Sequence, residues 1–254
     1  KKKDWFLTAA NVSHHAVKQM NADQSEGKRE IPVLFEEMDG VWLNMQDKKH
    51  KKTKKQEMKV FTMYEGWDEE KEKQKRSTLV GKHMLAGMEE SSEFHQKREA
   101  CIRKKYNADE IGQRILNGDG GSWIKDEYDP DVIFQLDRYH IYQEILRKIT
   151  DKKAQTDIRQ LFEEEKMEEM LKYIQIYATS VESPDEKDNR SNKAMKLYKY
   201  LANNKEGLLP YDKRGIEISA PPKGMVYKGL GVQENQNCTV ITLRMKHRRM
   251  RWSK

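Results

Sequence analysis

The stretch Ile31-Pro-Val-Leu-Phe-Glu-Glu-Met-Asp39-Gly-Val-Trp-Leu-Asn-Met-Gln46 decides the fold. Its first half is an apolar run ending in acid, and Val33, Leu34 and Phe35 suit a central strand. Its second half alternates. Val41, Leu43 and Met45 point one way, and Trp42, Asn44 and Gln46 the other. Asp39-Gly40 between the halves is a tight-turn signal, which predicts two strands joined as a hairpin. An aspartate delivered at the end of a buried strand is also held rigidly, as a catalytic metal ligand must be. Taken alone, the stretch favours the plain turn.

Upstream, Asn21 to Glu30 is polar and reads as a linker. Before it, Ser13 is a good N-cap for a short helix with Val17 and Met20 on one face, over residues 12–20. Such a basic helix resembles the recognition helix of a helix-turn-helix, or is an ordinary helix leading into the linker. Downstream, residues 47–55 hold six lysines and one acid. They form the tip of a meander whose next strand is Glu57–Tyr64, with Met58, Val60, Thr62 and Tyr64 alternating with Lys59, Phe61 and Met63. The tip is a solvated turn or a grip on backbone phosphates.

Residues 68–79 are charged and read as loop. A helix is predicted over Ser91–Tyr106, with Phe94, Ala100 or Cys101, and Ile102 inward. Short strands follow at Ile111 to Asn117, ending in Gly-Asp119-Gly-Gly, and at Val132–Leu136, closing in Asp137-Arg-Tyr-His140. Ile141, Ile145, Ile149, Ile158, Leu161, Phe162, Met167, Met170, Leu171, Ile174 and Tyr177 then recur at helical spacing. Ala194, Leu197, Tyr198 and Leu201 do so in a further helix. These helices look like an insertion rather than a βα repeat. Residues 207–228 read as loop with an extended piece at Ile216–Ser219. From Glu234 a helix carries Val240 or Ile241, and Met245, on its apolar side.

The 254 residues suffice for one large domain or a core with an inserted subdomain. Hydrophobic and charged residues each make up 36%, so the core is lean and the surface ionic. Five Trp and eleven Tyr argue against a disordered chain. The net charge of +7 favours a polyanionic partner. Two distant cysteines, Cys101 and Cys238, exclude a disulfide framework or Cys-based zinc site and fit a reducing cytosol. No apolar run approaches the ~18 residues that cross a bilayer, and no signal peptide is present. The chain opens Lys-Lys-Lys and reads as a fragment of a longer protein.

Asp39 and Asp119 each end a short apolar strand beside glycine, which leaves room for bulky phosphates to approach the backbone. Glu234 precedes Arg244, Lys246, Arg248, Arg249, Arg251 and Lys254, with no intervening acid. Two aspartates and a glutamate are hard oxygen donors that suit Mg²⁺ or Mn²⁺. Two such ions about 3.5–4 Å apart promote phosphodiester displacement. Among 42 acids, spacing alone does not single these three out.

Four strings occur in one order: Val33-Leu-Phe-Glu-Glu-Met-Asp-Gly-Val41, Leu116-Asn-Gly-Asp-Gly-Gly-Ser-Trp-Ile124, Leu136-Asp-Arg-Tyr-His140, and Glu234 with Arg244-Met-Lys and Trp252-Ser253. The series resembles the ISLre group of bacterial insertion-sequence transposases, distantly similar to Mutator-like transposases, from Ile31 to the C-terminus. The resemblance implies an α/β, ribonuclease H-like mixed sheet flanked by helices, with an all-helical insertion before the last catalytic helix. In that scheme residues 1–29 are linker and helix-turn-helix remnant, 30–148 the first part of the core, 149–212 the insertion and 213–254 the final Glu-bearing basic helix.

The same resemblance implies a catalytic and metal-binding triad of Asp39, Asp119 and Glu234, with two Mg²⁺ or Mn²⁺ ions. It matches Asp137 and His140 to an auxiliary (Cys/Asp)-x-x-His signature; His140 orients DNA or a water, or satisfies a core hydrogen bond. The implied partner is double-stranded DNA, at element ends and target, bound by a homo-oligomer in the bacterial cytoplasm without membrane. Lys51, Lys52, Lys54 and Lys55, with Arg244, Lys246, Arg248 and Arg249, are the candidate phosphate contacts. Trp123 reads as a buried side chain covering the sheet in preference to a base-stacking one, and Glu36 and Glu37 as a solvated strand edge. A nuclease that cuts without joining, and a non-catalytic DNA-binding remnant, are the alternatives.

Overall fold

A computed structural model describes residues 27–46, 53–125, 132–185 and 187–246. The chain divides into two compact units, one built from the residues up to Ile133 and from Glu217 onward, the other from Phe134–Ile216.

The first unit is organised on one strand. β1 runs unbroken over Arg29–Gln46, 18 residues, and β2 over Thr53–Tyr64. They pair antiparallel from Phe35 opposite Tyr64 to Gln46 opposite Thr53. On its other edge β1 pairs in parallel with β6, Tyr106–Gly118, as far as Met38 opposite Gly118. β5, His83–Gly87, extends the sheet beyond β2. With β7, Val132–Leu136, the order is β5-β2-β1-β6-β7, a mixed five-stranded sheet.

The expected turn at Asp39-Gly40 is therefore absent. A two-residue hairpin of the Asp-Gly kind needs positive φ at both central residues, and neither Asp39 nor Gly40 has it. What changes at Asp39 is the covering, not the direction. From Val33 to Met38 every residue is at most 1% exposed, because the strand has neighbours on both edges and helices on both faces. β6 ends opposite Met38. Beyond it only one face is covered, so Val41, Leu43 and Met45 are buried while Trp42 and Asn44 are exposed.

α2, Ser91–Lys105, packs on the face of Glu36 and Met38, and buries Phe94 and Ile102 completely. On the opposite face a helix begins as Gln233–Gln236 and continues with π winding over Asn237–Lys246. Its Ile241 and Met245 join Val41, Leu43, Met45, Met58 and Val60 in one apolar cluster. A second sheet, ordered β4-β3-β8, joins β3 (Gly66–Asp68) to β4 (Leu79–Val80) and β8 (Met225–Val226). It returns the chain to the first unit ahead of that helix. Phe35, Tyr64, Trp67 and Tyr227 interlock beneath it, with ring centroids 5.1–5.8 Å apart. Two loop readings are corrected. Residues 69–73 form a short helix, α1, capped by Asp68, and the extended piece falls at Met225–Val226 rather than Ile216–Ser219.

The second unit is helical. After α3 (Ser122–Lys125, in the first unit) come α4 (Arg138–Lys148), α5 (Lys152–Glu163), α6 (Met167–Ser180) and α7 (Arg190–Asn203). The residues predicted from their spacing form its core: Ile141, Ile145, Ile149, Ile158, Phe162, Met170, Ile174, Ala194, Leu197 and Leu201 are all inaccessible to solvent. Among the described residues no helix is long and apolar enough to cross a membrane.

Candidate functional site

Parallel pairing of Met38 with Gly118 delivers the next residue of each strand, Asp39 and Asp119, side by side where β6 ends. Both carboxylates are oriented. Asp39 is 8% exposed; its Oδ1 accepts from the Gly40 amide at 2.7 Å and its Oδ2 from the Asn237 side-chain amide at 2.5 Å. Asp119 is half-buried, and its Oδ1 accepts from the Gly121 amide at 2.8 Å. Gly120, at φ 78°, makes the turn into α3 that this bond closes.

The helix bearing Asn237 is docked by Glu37. This carboxylate is wholly buried. It accepts from the consecutive backbone amides of Gly231, Val232 and Gln233 at 3.0, 3.1 and 2.9 Å. Tyr64 Oη donates to it at 2.6 Å and Asn117 Nδ2 at 3.3 Å. The first amides of a helix have no partners within it, and an anion there also meets the positive end of the helix dipole. Burial pushes the Glu37 carboxyl up, and the hydrogen bonds from Tyr64 and the three backbone amides pull it back only in part. One turn on, Gln233 Nε2 donates to Asn237 Oδ1 at 2.8 Å, and Asn237 in turn reaches Asp39.

Glu57 was not singled out by the sequence. It opens the inner part of β2 opposite Trp42. A Cβ on Gly40 would lie 2.0 Å from Glu57 Oε1, so glycine there lets this carboxylate lie against the backbone beside Asp39. Burial raises its pKa, Lys59 lowers it, Asp119 and Asp39 raise it, and a hydrogen bond from Trp123 lowers it; the balance is upward. Trp123 is half-buried, edge-on to Phe94 at 6.1 Å, with Lys59 Nζ 5.6 Å above its ring. Only the register across β1 and β2 reveals this group, because its local pattern is an ordinary strand with alternating charge.

On the α2 face, Glu36 is wholly buried and gripped by Arg114 through Nε at 2.6 Å and Nη2 at 3.0 Å, with Arg98 Nε at 3.7 Å. Arg114 also holds Glu99, at 2.8 and 3.1 Å. Burial pushes Glu99 up, but hydrogen bonds and charge from Arg114 and Arg98 outweigh it and hold the carboxyl at about 2. Glu36 and Glu37 are thus not a solvated edge. The two adjacent acids face opposite sides of a covered strand, each with its own ring of donors.

The profile of the family described as "Uncharacterised protein family (UPF0236)" matches residues 3–254. The chain belongs to UPF0236. It is 26% identical over 268 residues to the "UPF0236 protein in vanSb 3'region" of Streptococcus gallolyticus, an alignment covering 98% of this chain and 55% of that protein. The chain therefore spans about half the length of that curated relative.

In this UPF0236 chain the fold brings Asp39 and Asp119 together but leaves Glu234 exposed, one turn before Asn237. Gln236 accepts from Lys82, which precedes β5, at 3.1 Å. Glu234, two residues earlier and so about 200° around the helix, lies on the flank away from β5. Among the described residues no three His, Cys, Asp or Glu side chains stand close enough to hold a metal ion. Asp137 caps α4, accepting from the His140 amide at 3.1 Å, and the His140 ring is edge-on to Tyr139 at 5.6 Å. Lys55 is exposed on β2. Lys51, Lys52, Arg248, Arg249 and the 12–20 helix lie outside the described residues, as do the side chains of Lys54, Arg244 and Lys246.

Proposed function

We propose that this chain is the core of a DNA transposase that cuts and joins phosphodiester bonds with divalent metal ions, on a ribonuclease H-like fold. One observation carries the reading: Asp39 and Asp119 emerge side by side from adjacent parallel strands at the middle of the sheet. Three antiparallel strands, β5, β2 and β1, followed by β6 parallel to β1, with a late helix laid along the first strand, support the same fold.

Two carboxylates on rigid strand ends are hard donors and fit Mg²⁺ or Mn²⁺. Asp39 and Asp119 would hold the ions; Glu234, the third acid expected from the sequence, stands exposed on the same helix one turn before the Asn237 amide that faces Asp39. When bound, the metal supplies Lewis acidity for displacement at phosphorus. The protein's own part is positioning: Glu37 fixes the start of the helix, and Asn237 orients Asp39. Lys55 and the basic residues on either side of the sheet tip and tail would meet backbone phosphates, with a homo-oligomer bringing two DNA ends together.

The test is cleavage by the full chain, in Mg²⁺ or Mn²⁺, of plasmid DNA carrying the sequences that flank its own gene. Asp39→Asn, Asp119→Asn and Glu234→Gln should each abolish cutting, and pre-cut ends should be joined by the wild type alone. Cutting without joining would reassign the chain as a nuclease, and activity persisting in both aspartate variants would sink the reading.

The Asn237–Asp39 contact favours a second reading, a non-catalytic DNA-binding remnant, because an amide stands where an acid would complete the set. That reading expects DNA binding by the wild type, no cleavage, and identical affinities for Asp39→Asn and the wild type.

A further inference from the structure

Past Asp39 the paired strands β1 and β2 have one face sealed by the terminal helix and the other open. Trp42 sits on the open face and is 53% exposed. Opposite residues of an antiparallel pair project from the same face. Trp42 therefore shares its side with Glu57, and Asn44 with Lys55. Glu57 accepts from Trp123, whose ring carries Lys59, so the face continues from Trp42 to Trp123.

We propose that Trp42 is a base-stacking platform for an unpaired DNA strand running past Asp39 and Asp119. The inference rests on the DNA-transposase reading and specifies the form of DNA that the site takes. An indole ring offers a flat apolar face that any base can stack on, but in a duplex those faces are already stacked against neighbouring pairs. Trp42 lies three residues from Asp39 along an extended strand, about 10 Å. The two side chains leave the strand by opposite faces, and the path from Trp42 to the carboxylates runs round the edge of β1 that β6 leaves uncovered beyond Met38, where Asp119 follows Gly118. Lys55 and Lys59 on the same face supply the charge a phosphate backbone requires, and Lys59, bonded to the Glu89 carbonyl at 2.8 Å, keeps further donors. Asn44, exposed next to Trp42 on that face, can bond a base edge. A polypeptide partner would instead need apolar area around the indole, and Asn44, Lys55 and Glu57 surround it with polar groups.

The test uses the full chain carrying Asp39→Asn, so that binding is read without cleavage. Affinities for single-stranded oligothymidine and for a duplex of the same length are measured at one fixed salt concentration. Trp42→Ala should weaken oligothymidine binding about 5- to 150-fold and leave duplex affinity within about twofold. Trp42→Tyr, which keeps a stacking ring, should recover most of the loss. The proposal is overturned if Trp42→Ala binds oligothymidine like its parent, or loses single strand and duplex equally. A wild-type dimer that Trp42→Ala dissociates in the absence of DNA would also overturn it, and assign the face to self-association. Failure of the parent to bind either DNA would overturn the transposase reading itself, whereas duplex binding with no effect at Trp42 removes the platform alone.

Discussion

Asn237 donates its side-chain amide to Asp39 Oδ2 across 198 residues of sequence. The bond ties the last described helix to the first strand at the residue where the sheet opens. It also means that the group facing Asp39 is a neutral hydrogen-bond donor, while Glu234 stands on the helix flank.

Removing that donor should cost both stability and activity. Asn237→Ala leaves a carboxylate that is only 8% exposed short of a partner, and should destabilise the protein by about 1–3 kcal/mol. Metal-dependent cleavage should fall about 10- to 100-fold, as when a group that orients a ligand is lost. Asn237→Asp sets two carboxylates against each other, so its melting temperature should drop at neutral pH and recover on adding Mg²⁺. Thermal melts with and without Mg²⁺ decide this; an Asn237→Asp protein indifferent to the metal would count against a metal site at Asp39.

Glu37 should matter more to the fold than any other carboxylate at the site. Glu37→Ala strands three backbone amides, a tyrosine hydroxyl and an asparagine amide. The expected loss is about 3–5 kcal/mol. Hydrogen exchange should show where the damage lies, with residues 233–246 deprotected well before α2. Uniform loss across the first unit would refute Glu37 as the local anchor of the helix.

The Glu36–Arg114–Glu99 network predicts an acid-sensitive step. Glu99 in the folded chain holds its proton only near pH 2, against an ordinary value of 4.5. A depressed folded pKa means the unfolded chain binds the proton more tightly. The stabilisation is thus present above about 4.5 and lost as pH falls toward 2. Urea midpoints should decline between pH 5 and pH 3, and Glu99→Gln should flatten part of that decline. Parallel pH profiles for the two proteins would show that Glu99 does not carry it.

Asp137 can be separated into cap and catalyst by two substitutions. Asparagine caps helices as well as aspartate does, whereas alanine does not. Asp137→Asn should leave the melting temperature unchanged and Asp137→Ala should lower stability by about 0.5–2 kcal/mol. Cleavage should follow stability if the residue only caps α4. Cleavage lost in the stable asparagine variant would restore a role in the chemistry.

The helices were legible because their information is local. Ile141, Ile145 and Ile149, or Leu197 and Leu201, mark a buried stripe by their spacing alone, and the fold buries each of them. Val41, Leu43 and Met45 were legible for the same reason, and so was Ile241 with Met245 on the helix that covers them. The break at Asp39 was misread because a change of pattern has two causes, a reversal of the chain or the end of a neighbouring strand. A sequence records the change but not the neighbour.

By itself, the sequence determined the long helices and the strand character of residues 31–46, 57–64, 111–117 and 132–136, their apolar faces, and that Asp39 and Asp119 end apolar runs beside glycine. Tertiary structure alone decided that those aspartates are adjacent, that Glu36 and Glu37 are buried on opposite faces, and that Asn237 and Glu57 join them. The physical reason is range. Helical and strand periodicity act within a few residues. By contrast, a buried charge is stable only where distant donors converge on it, here backbone amides nearly 200 residues away for Glu37 and a guanidinium on the parallel strand for Glu36.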